Sequence, residues 1–202
     1  MKDLPAATKT KPRTKPAEIR RSELMTAAET IFLQKGFAAT SVDEIVRKAD
    51  VAKGTFYLHF RSKDDILVAL RERFITIYCE RLDNEMNSIP AHDWSKRLAV
   101  WASTGITSYL ENYRLHDLVF HDFHPPTRHA MQENPAIVRL DQLLSEGKAA
   151  GAWSVENTRL LATLLFHALH GAVDDFIIRS NITERDEMVR GVQDLFLKAV
   201  RS

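Results

Sequence analysis

"TSVDEIVRKADVAKGTFYLHFRSKDD", Thr40 to Asp65, carries two helix-start signals and one tight connection within a single short stretch. Ser41 stands three residues ahead of Glu44, the spacing at which a hydroxyl and a carboxylate cap a helix reciprocally. Val42, Ile45, Val46 and Ala49 then fall on one face, which predicts a helix of about two turns. Phe56 and Phe60 are i,i+4 partners beyond it, and Ser62 with Asp65 repeats the capping spacing before a long helix through "DDILVALRERFITIYCERLDNEM". Only a few residues around Asp50 and Val51 separate the two short helices, the length of a helix-turn-helix connection.

Upstream, "EIRRSELMTAAETIFLQKGF" places Leu24, Ala28, Ile31 and Phe32 on one apolar face, and Gly36 supplies a left-handed stop. Helices this short are marginal alone. They must pack through Ile31, Phe32, Ile45, Val46, Val51, Phe56 and Phe60 into a small three-helix core. With those residues inward, Lys53, Thr55, Tyr57 and His59 face out, a surface of donors, one cation and a phenol suited to phosphates and base edges. Gly54 among them weakens the helix by about 1 kcal/mol relative to alanine, and its missing side chain permits close approach to a DNA backbone or base edge.

Charge is distributed to match. The chain of 202 residues has a net charge of only +1, yet residues 1–63 hold 13 Lys and Arg against 7 Asp and Glu, and the remainder holds 15 against 20. "MKDLPAATKTKPRTKP" has three prolines, five basic residues and few apolar ones, so residues 1–16 are expected to be a disordered basic arm. Residues 17–77 are expected to form the helix-turn-helix domain, its motif at about 41–60, and 78–202 a second helical domain. A single cysteine, Cys79, excludes an internal disulfide. No uninterrupted apolar run approaches the roughly 18 residues that span a bilayer, so the expectation is a soluble cytoplasmic chain without a membrane partner.

Beyond Pro90 there is no hairpin turn and no sustained period-two alternation. Helices are expected at about 93–111, 113–123, 134–150, 156–179 and 184–200, with Ser154 as a cap ahead of the fourth. The fold class is therefore all-α.

The stretch "AAETIFLQKGFAATSVDEIVRKADVAKGTFYLHFRSKDDILVAL" closely resembles the N-terminal DNA-binding domain of the TetR (tetracycline repressor-like) family of bacterial transcriptional regulators. The resemblance covers roughly a quarter of the chain. It implies a homodimer that binds a palindromic double-stranded DNA operator and is released by a small-molecule effector held in a helical C-terminal region. By position it puts Lys53, Gly54, Thr55, Tyr57 and His59 on the recognition helix, and makes Tyr57 and Lys63, with Thr40 or Ser41, phosphate contacts. Two residues depart from the family pattern: Asp50 stands where glycine is usual, and Ala52 where a hydroxyl cap is usual. Aspartate tolerates the left-handed conformation, and loss of a cap costs about 1 kcal/mol, so these departures bear on base preference and helix start.

In the C-terminal region, 156–179 is apolar on more than one face, as a helix buried against a second copy of the chain would be. Trp101, Gly105, Ile106 and Tyr109 share a helical face on which the glycine leaves room for a ligand. With His121, Phe123, Phe166 and His170, the residues Trp101, Ile106 and Tyr109 are the candidate effector pocket implied by the resemblance. His167 and His170 sit at i,i+3 with Asp174 four further on, which leaves open an all-α enzyme or a metal or haem sensor. No fixed zinc spacing, nucleophile elbow or phosphate loop supports that alternative, so no catalytic residue, cofactor or metal is assigned.

Overall fold

The computed structural model describes residues 16–120, 134–179 and 184–201. Among them are nine α-helices and no strand. They pack as two units, one up to Ile66 and one from Leu67 onward. The first holds α1 (Ala17–Lys35), α2 (Val42–Lys48), α3 (Lys53–His59) and the start of α4 (Lys63–Asn87). The second holds the rest of α4, then α5 (Trp94–Glu111), α6 (Tyr113–Phe120), α7 (Pro135–Ala149), α8 (Thr158–Arg179) and α9 (Arg185–Val200). Apart from Pro16, which precedes α1, the expected basic arm lies outside the described residues.

The first unit closes around Leu24, Ala28, Phe32, Ile45, Phe56 and Phe60, all nearly or fully buried. Gly36 ends α1 at a φ of 85°, and its N–H donates to the Phe32 carbonyl at 2.8 Å. The α2 cap is the one the spacing predicts: Glu44 N–H donates to Ser41 Oγ at 3.3 Å and Ser41 N–H to Glu44 Oε2 at 2.9 Å. At the other end of α2, Asp50 takes a φ of 52°, the one left-handed non-glycine among the described residues. Val51 N–H reaches back to Val46 O at 3.0 Å and Asp50 N–H to Arg47 O at 3.3 Å, the paired bonds of a Schellman stop. The connection therefore keeps the backbone that glycine would adopt. α3 follows from Ala52 with no side-chain cap.

α4 starts as expected, Asp65 N–H donating to Ser62 Oγ at 3.2 Å; the Asp65 carboxylate turns back to the Arg61 N–H at 2.9 Å. In the second unit, Trp101 stacks on Phe196 at 5.9 Å, and Gln193 Nε2 donates to Ala99 O at 3.1 Å, tying α9 to α5. Trp153 lies over Gly147, where any Cβ would collide with the indole, and its Nε1 donates to Leu144 O at 2.8 Å. The cap of α8 is Asn157, whose Oδ1 accepts from Leu160 N–H at 2.9 Å, and not Ser154, because the helix begins at Thr158.

α8 is the most apolar of the long helices, though polar residues interrupt it. It is long and apolar enough, by length and composition, to cross a membrane, because scattered polar residues do not lower its average far. Its buried residues Ala162, Leu165, Leu169 and Val173 face the unit's core, and α7, α9 and α5 pack against it. The opposite side, Leu160, Leu164, His167, Gly171, Asp175 and Ile178, is an exposed stripe at helical spacing.

Candidate nucleic-acid interface and a cavity in the second unit

Burial of Phe56 and Phe60 fixes which side of α3 is free. Lys53, Gly54, Tyr57 and Leu58 are exposed, and Thr55 and His59 are partly so. Tyr57 leans edge-on against Phe56, at 5.4 Å and 82°, which leaves its phenol outward. An added Cβ at Gly54 would meet nothing within 4 Å, and its φ lies outside the left-handed region. The first unit therefore has no internal need for glycine there. Leu58, 83% exposed, is the surface residue that the reading for polar groups passed over. Its place two residues after buried Phe56 was the available signal, and an apolar side chain there suits a thymine methyl.

Three of the expected contacts are committed within the unit. Thr40 is buried, and its hydroxyl donates to Gly36 O at 2.8 Å, so this side chain is not on the phosphate-facing surface. Lys63 donates to the carbonyls of Phe37, Ala38 and Thr40 at 2.8, 3.2 and 3.0 Å and sits over the Phe37 ring. All three ammonium protons are thus used in bracing the α1–α2 loop, where the family resemblance implied a phosphate contact. Ser41 stays exposed, but its oxygen serves the capping box. Lys53 pairs with Asp43 at 2.8 Å, both side chains more than half exposed, and Asp43 raises its pKa. A pair that open to water exchanges readily for a phosphate. Beneath it, the Lys35 ammonium at 2.5 Å, then the Ser41 N–H and hydroxyl, hold the Glu44 carboxyl at about 2.

A cavity of about 440 Å³ opens inside the second unit. α4 supplies Arg71, Phe74, Ile75 and Tyr78; α5 supplies Trp101, Gly105, Ser108 and Tyr109; α6 supplies His116 and Phe120; α8 supplies Phe166, His170 and Asp174 among others. Of the candidate pocket residues, Trp101, Tyr109, Phe166 and His170 are on this wall. Ile106 is not: it is fully buried in the core, because five residues on from Trp101 a helix has turned some 140° away. His121 and Phe123 lie outside the described residues. Gly105 provides close approach more than empty space, since a Cβ there would stand 3.0 Å from Leu169 Cδ1.

The polar part of the wall is concentrated around Tyr109. Its phenol donates to Asp174, and burial followed by that carboxylate pushes its pKa up. His116 stacks on the same ring at 3.6 Å, and His170 Nδ1 lies 2.8 Å from Phe166 O. Among the described residues no group of three His, Cys, Asp or Glu is placed to hold a metal ion. Arg71, Phe74, Tyr78, Ser108 and His116 were not singled out as a pocket from the sequence: the first three share a face of α4, but no spacing joins that face to Ser108 on α5 and His116 on α6.

Residues 24–70 match the family model "Bacterial regulatory proteins, tetR family". The chain is 34% identical over 84 residues to the HTH-type transcriptional repressor NemR of Escherichia coli K12, an alignment covering 42% of each. It thus spans less than half the length of that relative. Two solved structures share the architecture over nearly the whole chain. The fatty acid degradation regulator FadR from Bacillus halodurans has a TM-score of 0.74 at 22% identity, covering 94% of this chain and 99% of that one. The transcriptional regulator FadR from Bacillus subtilis, in complex with stearoyl-CoA, has a TM-score of 0.71 at 20% identity, covering 89% and 99%.

Proposed function

We propose that this chain, which carries the N-terminal domain of the tetR family of bacterial regulatory proteins, is a ligand-responsive transcriptional repressor that acts in the cytoplasm as a homodimer on a palindromic operator. The observation that carries the reading is Gly54. A glycine costs helix stability, and nothing inside the unit occupies the space a side chain would take. A surface left open at Gly54 and flanked by Lys53, Thr55, Tyr57, Leu58 and His59 suits a helix lying in a major groove. Lys53, by exchanging its exposed pair with Asp43, and Tyr57 are the side chains proposed to meet phosphates, and the loop braced by Lys63 offers its backbone beside Ser41.

The dimer is proposed on the exposed stripe of α8, with Leu160, Leu164 and Ile178 at 54%, 58% and 80% exposure and Leu195 of α9 at 47%. Two such helix pairs across a two-fold axis would form a four-helix bundle. The effector is proposed to occupy the cavity of the second unit, a reading supported by the stearoyl-CoA complex of the Bacillus subtilis neighbour. α4 is the lever: it begins with the brace at Lys63 and continues to Arg71, Phe74 and Tyr78 on the cavity wall. An effector that binds one position of α4 more tightly shifts the population toward it.

Selection of bound duplexes from a random DNA pool tests the proposal. A two-fold symmetric consensus is the expected result, and recovery of no consensus contradicts the function. On the selected duplex, Lys53→Ala should weaken binding and lower the salt slope by about two per dimer, one for each subunit, and Tyr57→Phe should weaken binding at an unchanged slope.

A further inference from the structure

The cavity of the second unit is lopsided in its hydrogen bonding. Among the described residues its wall has one carboxylate, Asp174, and one guanidinium, Arg71. Asp174 already accepts the Tyr109 phenol, which burial keeps protonated. Arg71 makes no ion pair among the described residues; its Nε is buried without a partner while its guanidinium lies over the Phe120 ring at 5.0 Å. Two further polar groups on the same wall are stranded, Trp101 Nε1 and Ser108 Oγ, in residues only 2% and 6% exposed. Buried donors without acceptors are rare in folded proteins, and a cluster of them around a cavity marks where a ligand supplies the acceptors.

We propose that the cavity takes an amphipathic organic acid, its carboxylate or equivalent anion held by Arg71, its apolar body among the aromatic walls, and a further acceptor met by Trp101 Nε1 or Ser108 Oγ. This assignment rests on the effector reading above and narrows it to a chemical class. Aromatic walls also attract organic cations. A cation here would have to compete with Tyr109 for the one carboxylate, whereas an anion meets a guanidinium that makes no ion pair among the described residues. The volume of about 440 Å³ suits a ligand of one or two rings or a medium-length chain.

Calorimetric titration of the full chain without DNA, using naphthylacetate, naphthylacetamide and naphthylethylamine, tests the class. The acid should bind at least about tenfold more tightly than the amide or the amine. Arg71→Gln should erase that preference by weakening the acid alone, and Arg71→Lys should keep part of it. Ser108→Ala and Trp101→Phe should weaken acid and amide alike, with thermal melts checking that each variant is folded. An acid that binds no better than the amine, including no binding by any of the three, overturns the proposal, as does an acid preference that survives Arg71→Gln. Release of bound duplex is measured separately. An acid that binds through Arg71 but leaves DNA bound counts against the regulatory reading only; release by the amine with no acid binding counts against the ligand class only.

Discussion

Asp50 and Gly54 show opposite relations between a residue and its backbone. Asp50 holds a left-handed φ of 52° that glycine adopts without steric cost, whereas Gly54 sits in an ordinary helix that any residue could occupy. Asp50→Gly should therefore stabilise the first unit by about 0.5–1 kcal/mol, steric relief outweighing the added freedom of the unfolded chain, and Asp50→Ala should destabilise it. Urea unfolding of the three proteins checks the order. Gly54→Ala should raise helix stability by up to about 1 kcal/mol while weakening operator binding, a combination that a structural role for the glycine does not produce. Both residues were legible in the sequence, because a turn between two capped helices forces the conformation of the one, and helix propensity questions the other. The roles of Thr40 and Lys63 were not: which carbonyl or hydroxyl a side chain meets depends on how Phe37 and the loop after it fold back, and no spacing encodes that.

At the scale of elements, helix existence followed from period and caps. The helices expected from the sequence at 93–111, 134–150, 156–179 and 184–200 lie within two residues of α5, α7, α8 and α9, and the described part of 113–123 is α6. The cap of α2 has a measurable signature. Glu44 falls from an ordinary 4.5 to about 2 in the folded protein, so its contribution is fully present above about 4.5 and is lost as pH falls through 2. Glu44→Gln should flatten the stability profile of the first unit across that acid window, read by circular dichroism at fixed denaturant. Lys63→Ala should cost about 1–3 kcal/mol, because three carbonyls lose one shared donor group. In the second unit, Gly147→Ala should cost several kcal/mol, on the order of 3, since Trp153 must leave its site over α7. The close packing behind that prediction was invisible in the sequence, where Gly147 reads only as a weak point in a helix.

For the whole molecule, the first unit was readable because its contacts are local, and the cavity was not, because Arg71, Ser108, Tyr109 and Asp174 meet only after α4, α5 and α8 pack. Trp101 and Tyr109 were found by their shared face on α5, and the same reading misplaced Ile106, whose direction on the helix is some 140° from that of Trp101 and points into the core. The apolar excess of α8 becomes intelligible once it is divided into a core side and an exposed stripe. Leu164→Glu should shift the protein from dimer to monomer in sedimentation while leaving the helical circular dichroism signal in place. A monomer should then lose far more operator affinity than any single contact on α3 supplies, because the two half-sites no longer bind together. The central claim is that two copies of α3 read two half-sites. Hydroxyl-radical footprinting of the full chain on its selected duplex tests it most directly, with Gly54→Ala alongside. The account predicts two protected patches about one helical turn apart, or a near multiple of it, with the variant needing more protein than the parent to give them and losing both together on dilution. A single unsymmetrical patch, or a variant footprint indistinguishable from that of the parent protein at matched salt, would contradict it.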